Sequence, residues 1–288
     1  MCFLCDLKTQ PVAAPEAAPS SRRAFLGAGA SFAALVAAPA LAQVQVGEPS
    51  TMRKLVPADL LEEAAAKQYD ATLMAAQVDR ALLPATDARV QRLRTIADRL
   101  IPFTPPWNER ASQWQWQVSA IQSEDINAFC MPGGKIVFFT GILEKLDLTE
   151  DEVAMIMGHE MAHALREHSR EQIAKGMATS LTLRIGAELI GLGDWGGVAA
   201  DIGSDLLTLK FSRDNETEAD LVGLELAARA GYRPDAGVSL WQKMEKAKEG
   251  ASLAFLSTHP SGSNRIRTLE RNAPKVQGLY ERATAGRG

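Results

Sequence analysis

The stretch that decides the fold of this chain is Gly158-His159-Glu160-Met161-Ala162-His163, which matches the H-E-x-x-H motif of zinc hydrolases. Four residues of α-helix turn through about 400°, so His159 and His163 share one face and can bind one Zn²⁺ through their ring nitrogens. Glu160 is rotated away from that pair, toward an open coordination position, where it can accept a proton from water. The alternative is a surface helix with two solvated histidines.

The helix that carries this motif has a recognisable start. Thr149-Glu150-Asp151-Glu152 has the pattern of a capping box, in which the first and last side chains each bond the other's backbone N–H. We therefore predict a helix that begins near residue 150 and carries both histidines in its third turn.

Composition describes a mildly acidic globular chain. Its 288 residues are 46% hydrophobic and 23% charged, enough for one enzyme-sized domain with a smaller appendage. The formal charge of -4 argues against nucleic acid as the main partner, because no basic stripe is present to neutralise phosphates. Of the three cysteines, Cys2 and Cys5 lie in a segment that we expect to be removed, which leaves Cys130 alone and predicts no disulfide framework.

The first 42 residues have the pattern of an export signal. Arg22-Arg23 precedes an apolar run, and Ala40-Leu41-Ala42 forms an A-x-A cleavage site. We predict a twin-arginine signal peptide over residues 1–42, a mature chain that begins near Gln43, and a periplasmic or otherwise extracytoplasmic location. An uncleaved membrane anchor is the alternative, since the apolar stretch is just long enough to span a bilayer.

The rest of the chain is predicted to be helices around one short sheet. Apolar residues recur at helical spacing between Pro57 and Ile101, which predicts two or three packed helices. Residues 114–119 alternate between apolar and polar, as in a half-buried strand. Two further extended stretches, 126–131 and 135–140, flank a Pro-Gly-Gly turn and predict a hairpin.

A third metal ligand must come from another part of the chain. His168 lies nine residues after His159, so it falls on the opposite face if the helix continues. Glu216 and Asp220 are better candidates, because residues one helical turn apart share a face. Such a pair supplies one carboxylate ligand and a second carboxylate that orients a ligating imidazole. A solvated acidic helix start is the alternative.

The remaining histidine, His259, is followed by Pro260, which restricts it to an extended conformation suited to a loop across a cleft. There it can donate to the oxyanion formed on a scissile carbonyl, or occupy the fourth zinc position at rest. An ordinary loop histidine is the alternative.

Five motifs in order resemble the gluzincin family that includes the heat-shock protease HtpX, the CAAX prenyl protease and the periplasmic beta-barrel-assembly-enhancing protease. The resemblance covers roughly residues 111–275. Its motifs are Asn127-Ala128-Phe129 with Pro132-Gly133-Gly134-Lys135, the H-E-x-x-H segment, Ser212-Arg213 with Glu216 and Ala219-Asp220, Gly231-Tyr232-Arg233-Pro234, and His259-Pro260 with Arg265.

The resemblance implies a zinc site with defined roles. His159, His163 and Glu216 bind one zinc ion per chain, Glu160 is the general base, and Asp220 supports a ligand from behind. We therefore expect a zinc-dependent metalloendopeptidase.

The resemblance also implies a way of binding polypeptide. Asn127, Ala128 and Phe129 belong to an edge strand that binds substrate main chain by strand addition, a mode that ignores side-chain sequence. His259, with Arg265, is expected to stabilise the oxyanion, and Arg265 is expected to contact the substrate.

We expect an α+β, mostly helical, zincin-type metallopeptidase fold with a short β-sheet or hairpin beside the active-site helix. The predicted organisation is a signal peptide (1–42), an N-terminal helical region (43–110) and a metallopeptidase domain (111–288). The expected substrates are extended or misfolded envelope proteins. A zinc-containing holdase or scaffold with little proteolysis is the main alternative, and an unrelated metal-dependent amidase is a third.

Two departures from the family are visible. Family members such as HtpX are embedded by several membrane helices, whereas the longest apolar region here, residues 177–210, is interrupted by charges that bilayer centres exclude. We expect that region to form Gly-interrupted helices over the cleft, as a lid or as a patch for peripheral membrane or partner contact, and no transmembrane helix in the mature chain. We also expect no tetratricopeptide docking module. The oligomeric state is left open.

Overall fold

The computed structural model describes residues 44–184, 206–248, 254–260 and 263–286. The strands are β1 (Gln117–Ile121), β2 (Ala128–Met131) and β3 (Lys135–Phe139). The helices are α1 (Ala58–Val78), α2 (Ala88–Leu100), α3 (Thr140–Lys145), α4 (Glu150–Leu165), α5 (His168–Arg184), α6 (Arg213–Arg229), α7 (Ala236–Lys248), α8 (Ala254–Thr258) and α9 (Ser263–Ala285). Short 3₁₀ turns cover Thr51–Leu55, Ile101–Phe103 and Glu109–Ser112. The expected α+β, mostly helical fold is confirmed.

The sheet has the order β1-β3-β2, with β1 parallel and β2 antiparallel to β3. The predicted hairpin is therefore present as β2 and β3. Gly133 and Gly134 in its turn have φ angles of +80° and +78°, which favour glycine. A Cβ atom on Gly134 would also lie 2.7 Å from the ring of Trp116.

The strand predicted from residue 114 begins only at Gln117. The two tryptophans before it are held by other contacts: Trp114 Nε1 donates to Glu62 on α1 at 3.0 Å, and Trp116 Nε1 donates to the Ala111 carbonyl at 3.2 Å. Their alternation with polar residues thus reflects packing against α1 and the preceding turn rather than strand pairing.

Helix α4 is the central element. Its predicted capping box is confirmed, since the Glu152 backbone N–H donates to Thr149 Oγ1 and the Thr149 N–H donates to Glu152 Oε2. All but its first two residues are buried, as expected for a helix surrounded by other elements. It packs most extensively on α6, which it approaches at Gly158 and Gly223, and also on α2, α7 and the edge strand β2.

Some predictions concern residues that the structure does not describe. Residues 1–42, the predicted signal peptide, lie outside the described ranges, and so does most of the apolar region 177–210. Among the helices in the described ranges, none combines the length and hydropathy needed to cross a bilayer.

Candidate active site

Four buried side chains from three parts of the fold meet in one place. α4 contributes His159 and His163, α6 contributes Glu216, and His259 follows α8. One donor atom from each residue lies within 4.8 Å of the other three. All four side chains are at most 6% exposed. The structure thus brings together every residue that the sequence suggested for the metal.

The spacing of these donors suits a small tetrahedral cation. His159 Nε2 lies 3.1 Å from His163 Nε2 and 3.4 Å from His259 Nδ1. Glu216 Oε1 lies 3.5 Å from His163 Nε2 and 3.1 Å from His259 Nδ1. Zinc with tetrahedral bonds of about 2.0–2.1 Å places its donors about 3.3 Å apart. Three imidazole nitrogens and one carboxylate oxygen therefore fit a zinc ion.

His159 is supported from behind by a carboxylate. Its Nδ1 donates to Asp220 Oδ1 at 3.1 Å. Asp220 in turn accepts from Arg265, whose Nε and Nη2 lie 2.7 and 2.6 Å from its two oxygens. Asp220 therefore stands where the sequence analysis placed an orienting carboxylate.

Arg265 does not face the cleft as its expected substrate contact requires. The side chain is 6% exposed, and its guanidinium lies 3.6 Å above the ring of Trp241. Besides Asp220 it donates to Glu216 Oε2 at 2.5 Å. Helix α9 thus places it behind the donor cluster, where it neutralises two buried carboxylates instead of contacting substrate.

Electrostatics favour the charge states that bind a cation. Burial alone raises the pKa of Asp220, but Arg265 outweighs it and lowers that pKa to about 2. Burial likewise opposes ionisation of Glu216, yet a hydrogen bond from His259 and the charges around it lower the pKa of Glu216. Burial and the neighbouring imidazoles hold the pKa of His163 well below its usual range. The anionic Glu216 therefore lies beside a neutral His163, and the anionic Asp220 lies behind His159.

Glu160 occupies the edge of this cluster. It is 2% exposed, and its Oε1 has no hydrogen-bond partner among the described residues. The nearest cationic candidate is His259, whose Nε2 lies 3.6 Å from that oxygen. Burial raises the pKa of Glu160 despite the opposing effect of His259. The carboxylate is thus a stronger base than in water, with one oxygen available to accept a proton.

A cavity of about 30 Å³ joins the donor cluster to the edge strand. Asn127, Ala128 and Phe129 line it together with Glu160 and His163. Because the Phe139 N–H donates to the Asn127 carbonyl, and hydrogen-bonded pairs alternate along an antiparallel ladder, the peptide groups of Ala128 and Cys130 point away from β3. The outer edge of β2 therefore offers backbone groups beside Glu160.

Two aromatic residues that the sequence analysis missed cover the cluster. Phe211 stacks on His163 with 3.9 Å between ring centroids, and Phe255 stacks on His259 at 4.3 Å. The Phe211 N–H donates to the Thr258 carbonyl at 3.1 Å, which ties the two covering segments together. Phe211 directly precedes Ser212, and Phe255 lies four residues before His259. This closeness to motif residues is the one feature of the sequence that indicates their place at the site.

His168 is not where helix periodicity placed it. Helix α4 ends at Leu165, Glu167 adopts a left-handed φ of 59°, and α5 begins at His168. The helix does not continue, so the condition for the predicted position on the opposite face is not met. His168 Nδ1 lies 3.0 Å from His163 Nδ1, behind the donor cluster and not within it.

Comparison with known proteins gives a consistent result. The model of peptidase family M48 matches residues 87–273, more than half of the chain. Mitochondrial metalloendopeptidase OMA1 of Schizosaccharomyces pombe is 35% identical over 67% of this chain and 61% of its own length. Metalloprotease LoiP of Escherichia coli is 26% identical over 65% of this chain and 72% of its own length. Beta-barrel assembly-enhancing protease of Yersinia pestis is 24% identical over 65% of this chain and 39% of its own length. The chain spans between 34% and 61% of the OMA1 proteins that it matches.

Proposed function

This chain belongs to peptidase family M48, as its five motifs indicated, and from that membership we propose that it is a zinc-dependent metalloendopeptidase. One observation carries the proposal: the buried carboxylate of Glu160, whose Oε1 accepts no hydrogen bond from the described residues, lies directly beside a cluster of four donors with zinc-like spacing. Zinc ligation by itself does not need that carboxylate, whereas peptide hydrolysis needs a base at that place.

We assign His159, His163 and Glu216 as the metal ligands. A zinc ion held by them supplies a Lewis acid that acidifies water and polarises a carbonyl. Arg265 and Asp220 support this assignment, because they hold Glu216 and His159 in the positions that the cluster requires.

The acid–base work falls to Glu160. It accepts a proton from the attacking water and returns it to the leaving amine, so one carboxylate serves both halves of the reaction. Its raised pKa supports this role, since a base closer to neutral pH is also a competent acid.

His259 is proposed to act in two arrangements. In the closed arrangement its Nδ1 belongs to the donor cluster, which supports the fourth-ligand position considered from the sequence. Its Nε2 faces Glu160 at 3.6 Å, so a small displacement leaves an N–H donor beside the reacting carbonyl.

The proposed substrate is an extended segment of polypeptide. The outward carbonyl of Ala128 and the outward backbone groups of Cys130 support this, because β2 pairs with no strand on that side among the described residues and an extended chain can add there within reach of Glu160. The Ala128 N–H donates instead to Asn127 Oδ1 at 3.0 Å. That the substrates are misfolded envelope proteins depends on the predicted twin-arginine signal peptide alone, since the relatives include proteins named as mitochondrial.

The test is cleavage of unfolded casein by the zinc-loaded chain, beside Glu160→Gln and a chelator control. We expect Glu160→Gln to bind zinc normally and to lose about 10²–10⁴-fold in rate, the usual contribution of a general base. Glu171→Gln is the matched control, since this buried glutamate bonds Asn215 and lies outside the cluster. Full activity in Glu160→Gln refutes the assignment. Casein binding without cleavage by the unmodified chain favours the holdase, and cleavage of small amides alone favours the amidase.

A further inference from the structure

The two histidines of α4 are supported from behind by different chemistry. His159 Nδ1 meets a carboxylate directly, that of Asp220. His163 Nδ1 instead meets a second imidazole, His168, whose Nδ1 lies 3.0 Å away. The other nitrogen of His168 lies 3.1 Å from Glu218 Oε2. His163, His168 and Glu218 thus form two consecutive hydrogen bonds that end on a carboxylate.

When His163 binds a cation, only one placement of protons on the two neutral imidazole rings allows both of these hydrogen bonds. His163 faces the cluster with Nε2, and a metal-binding nitrogen carries no proton, so the ring proton is on Nδ1. That N–H must donate, and His168 Nδ1 must therefore accept. The proton of His168 is then on Nε2, from which it donates to Glu218, a carboxylate that only accepts.

The carboxylate at the outer end of this series of hydrogen bonds is held in place as well. Glu218 accepts from Arg166 Nε at 2.9 Å and from Nη2 at 3.3 Å. Arg166 also donates to the carbonyl of Gly47, in the segment that precedes α1. His168 is 1% exposed and Arg166 is 6% exposed, so water is kept from the inner hydrogen bond between the two imidazoles, whereas the Glu218 side chain is 23% exposed.

We propose that His168 is a positioning residue, which acts with Glu218 to hold His163 in the tautomer and ring orientation that bind zinc. The proposal rests on the zinc site assigned above. Glu167 makes the arrangement possible, because its left-handed conformation turns the chain so that the first residue of α5 faces back toward α4.

The test compares His168→Phe, which removes both hydrogen bonds, with His168→Gln, whose amide can accept from His163 and donate to Glu218. Zinc affinity is measured by competition with a chromogenic chelator, and the Nδ1–H of His163 is followed by NMR. We expect His168→Phe to weaken zinc binding about 10–100-fold and to lose the Nδ1–H signal, as removal of such supporting groups usually does. We expect His168→Gln to restore part of both.

Glu218→Gln and Glu171→Gln form a matched pair at the contact of α5 and α6. Glu171 accepts from Asn215 and pairs with Lys175, and it makes no hydrogen bond to His168 among the described residues, so its variant should bind zinc as the unmodified chain does. We expect Glu218→Gln to weaken zinc binding several-fold more than Glu171→Gln. If His168→Phe does not fold, this pair of variants still tests whether the hydrogen bonds behind His163 support zinc binding.

The outcomes separate this proposal from the proposed function. Normal zinc affinity and a retained His163 Nδ1–H signal in His168→Phe, or equal effects of the two glutamate variants, overturn the positioning role. A lower melting temperature of the metal-free protein with unchanged zinc affinity also overturns it, because that result describes a structural role. Loss of the proposed function is recognised separately, by failure of the unmodified chain to bind zinc or to cleave casein.

Discussion

Gly158 of α4 and Gly223 of α6 touch backbone to backbone where the two helices cross. A Cβ atom on Gly223 would lie 2.6 Å from the amide nitrogen of His159, and one on Gly158 would lie 2.9 Å from the carbonyl oxygen of Gly223. Side chains do not fit at such distances, so both positions require glycine. This close approach lets the histidines of α4 reach the carboxylates of α6.

Gly223→Ala should therefore separate the helices. We expect a loss of about 1–3 kcal/mol in the free energy of unfolding, the usual cost of overpacking, together with weaker zinc binding. Gly176→Ala on α5 is the control, because a Cβ there meets nothing within 4 Å among the described residues. That change should stabilise the helix by about 0.5–1 kcal/mol. Urea unfolding measures both, and equal effects of the same sign contradict the close-approach argument.

Arg265→Met should lower the free energy of unfolding, because it leaves two buried carboxylates without their cation. Asp220 and Glu216 both accept from Arg265, and breaking a buried pair typically costs about 3–5 kcal/mol. Urea unfolding of the metal-free protein measures the loss. Arg267→Met serves as control, since Arg267 is exposed and its side chain bonds only Asn264 among the described residues. If Arg265→Met changes only KM and leaves the free energy of unfolding unchanged, Arg265 has the substrate-binding role that was first expected.

His259→Phe should retain zinc and lose catalysis. Phenylalanine preserves the stacking on Phe255 but removes the proposed oxyanion donor, which typically costs about 10²–10³-fold in kcat. Casein cleavage and zinc content are measured together. Ser257→Ala is the control, because among the described residues its hydroxyl donates only to the Ala254 carbonyl. Unchanged peptidase rates in His259→Phe remove its catalytic role.

Cys130→Pro should weaken substrate binding and leave the sheet intact. The Cys130 N–H points away from β3, a position where an edge strand tolerates proline. Loss of one backbone hydrogen bond of about 0.5–1.5 kcal/mol should raise KM for a casein-derived peptide by a factor of about 2–12 without lowering kcat. Phe129→Pro, which removes a bond to β3, should instead destabilise the fold. An unchanged KM in Cys130→Pro argues against strand addition.

Glu152 should make the stability of the fold depend on pH. It is buried and accepts from Lys243 Nζ and from Ser239 Oγ, each at 2.7 Å. Burial alone raises the pKa of Glu152, but these bonds and those from Thr149 outweigh it and lower that pKa. The folded protein therefore binds fewer protons than the unfolded chain, so the stabilisation is complete above the usual carboxyl pKa and is lost as pH falls through the lowered one.

Glu152→Gln is accordingly expected to cost about 1–2 kcal/mol at pH 7, less than a fully buried charged bond because Lys243 is partly exposed. The difference from the unmodified chain should shrink as pH falls below about 4. Urea unfolding at several pH values measures it, with exposed Glu281→Gln as control. Parallel stability curves for Glu152→Gln and the unmodified chain contradict the prediction.

The features predicted correctly from the sequence are local. The capping box of Thr149 and Glu152, the shared face of His159 and His163, and the hairpin around Gly133 all follow from interactions between residues a few positions apart. Backbone geometry decides such features almost regardless of the surrounding fold.

The features that required the tertiary structure depend on residues far apart in the chain. The position of His168 depends on the left-handed conformation of Glu167, which the residue type does not predict. Arg265 lies behind the cluster, and Phe211 covers it, because α9 and the segment before α6 pack there. The sequence by itself therefore determined which side chains can bind a metal. Only packing decided how they are held, because contacts between distant elements depend on the whole core.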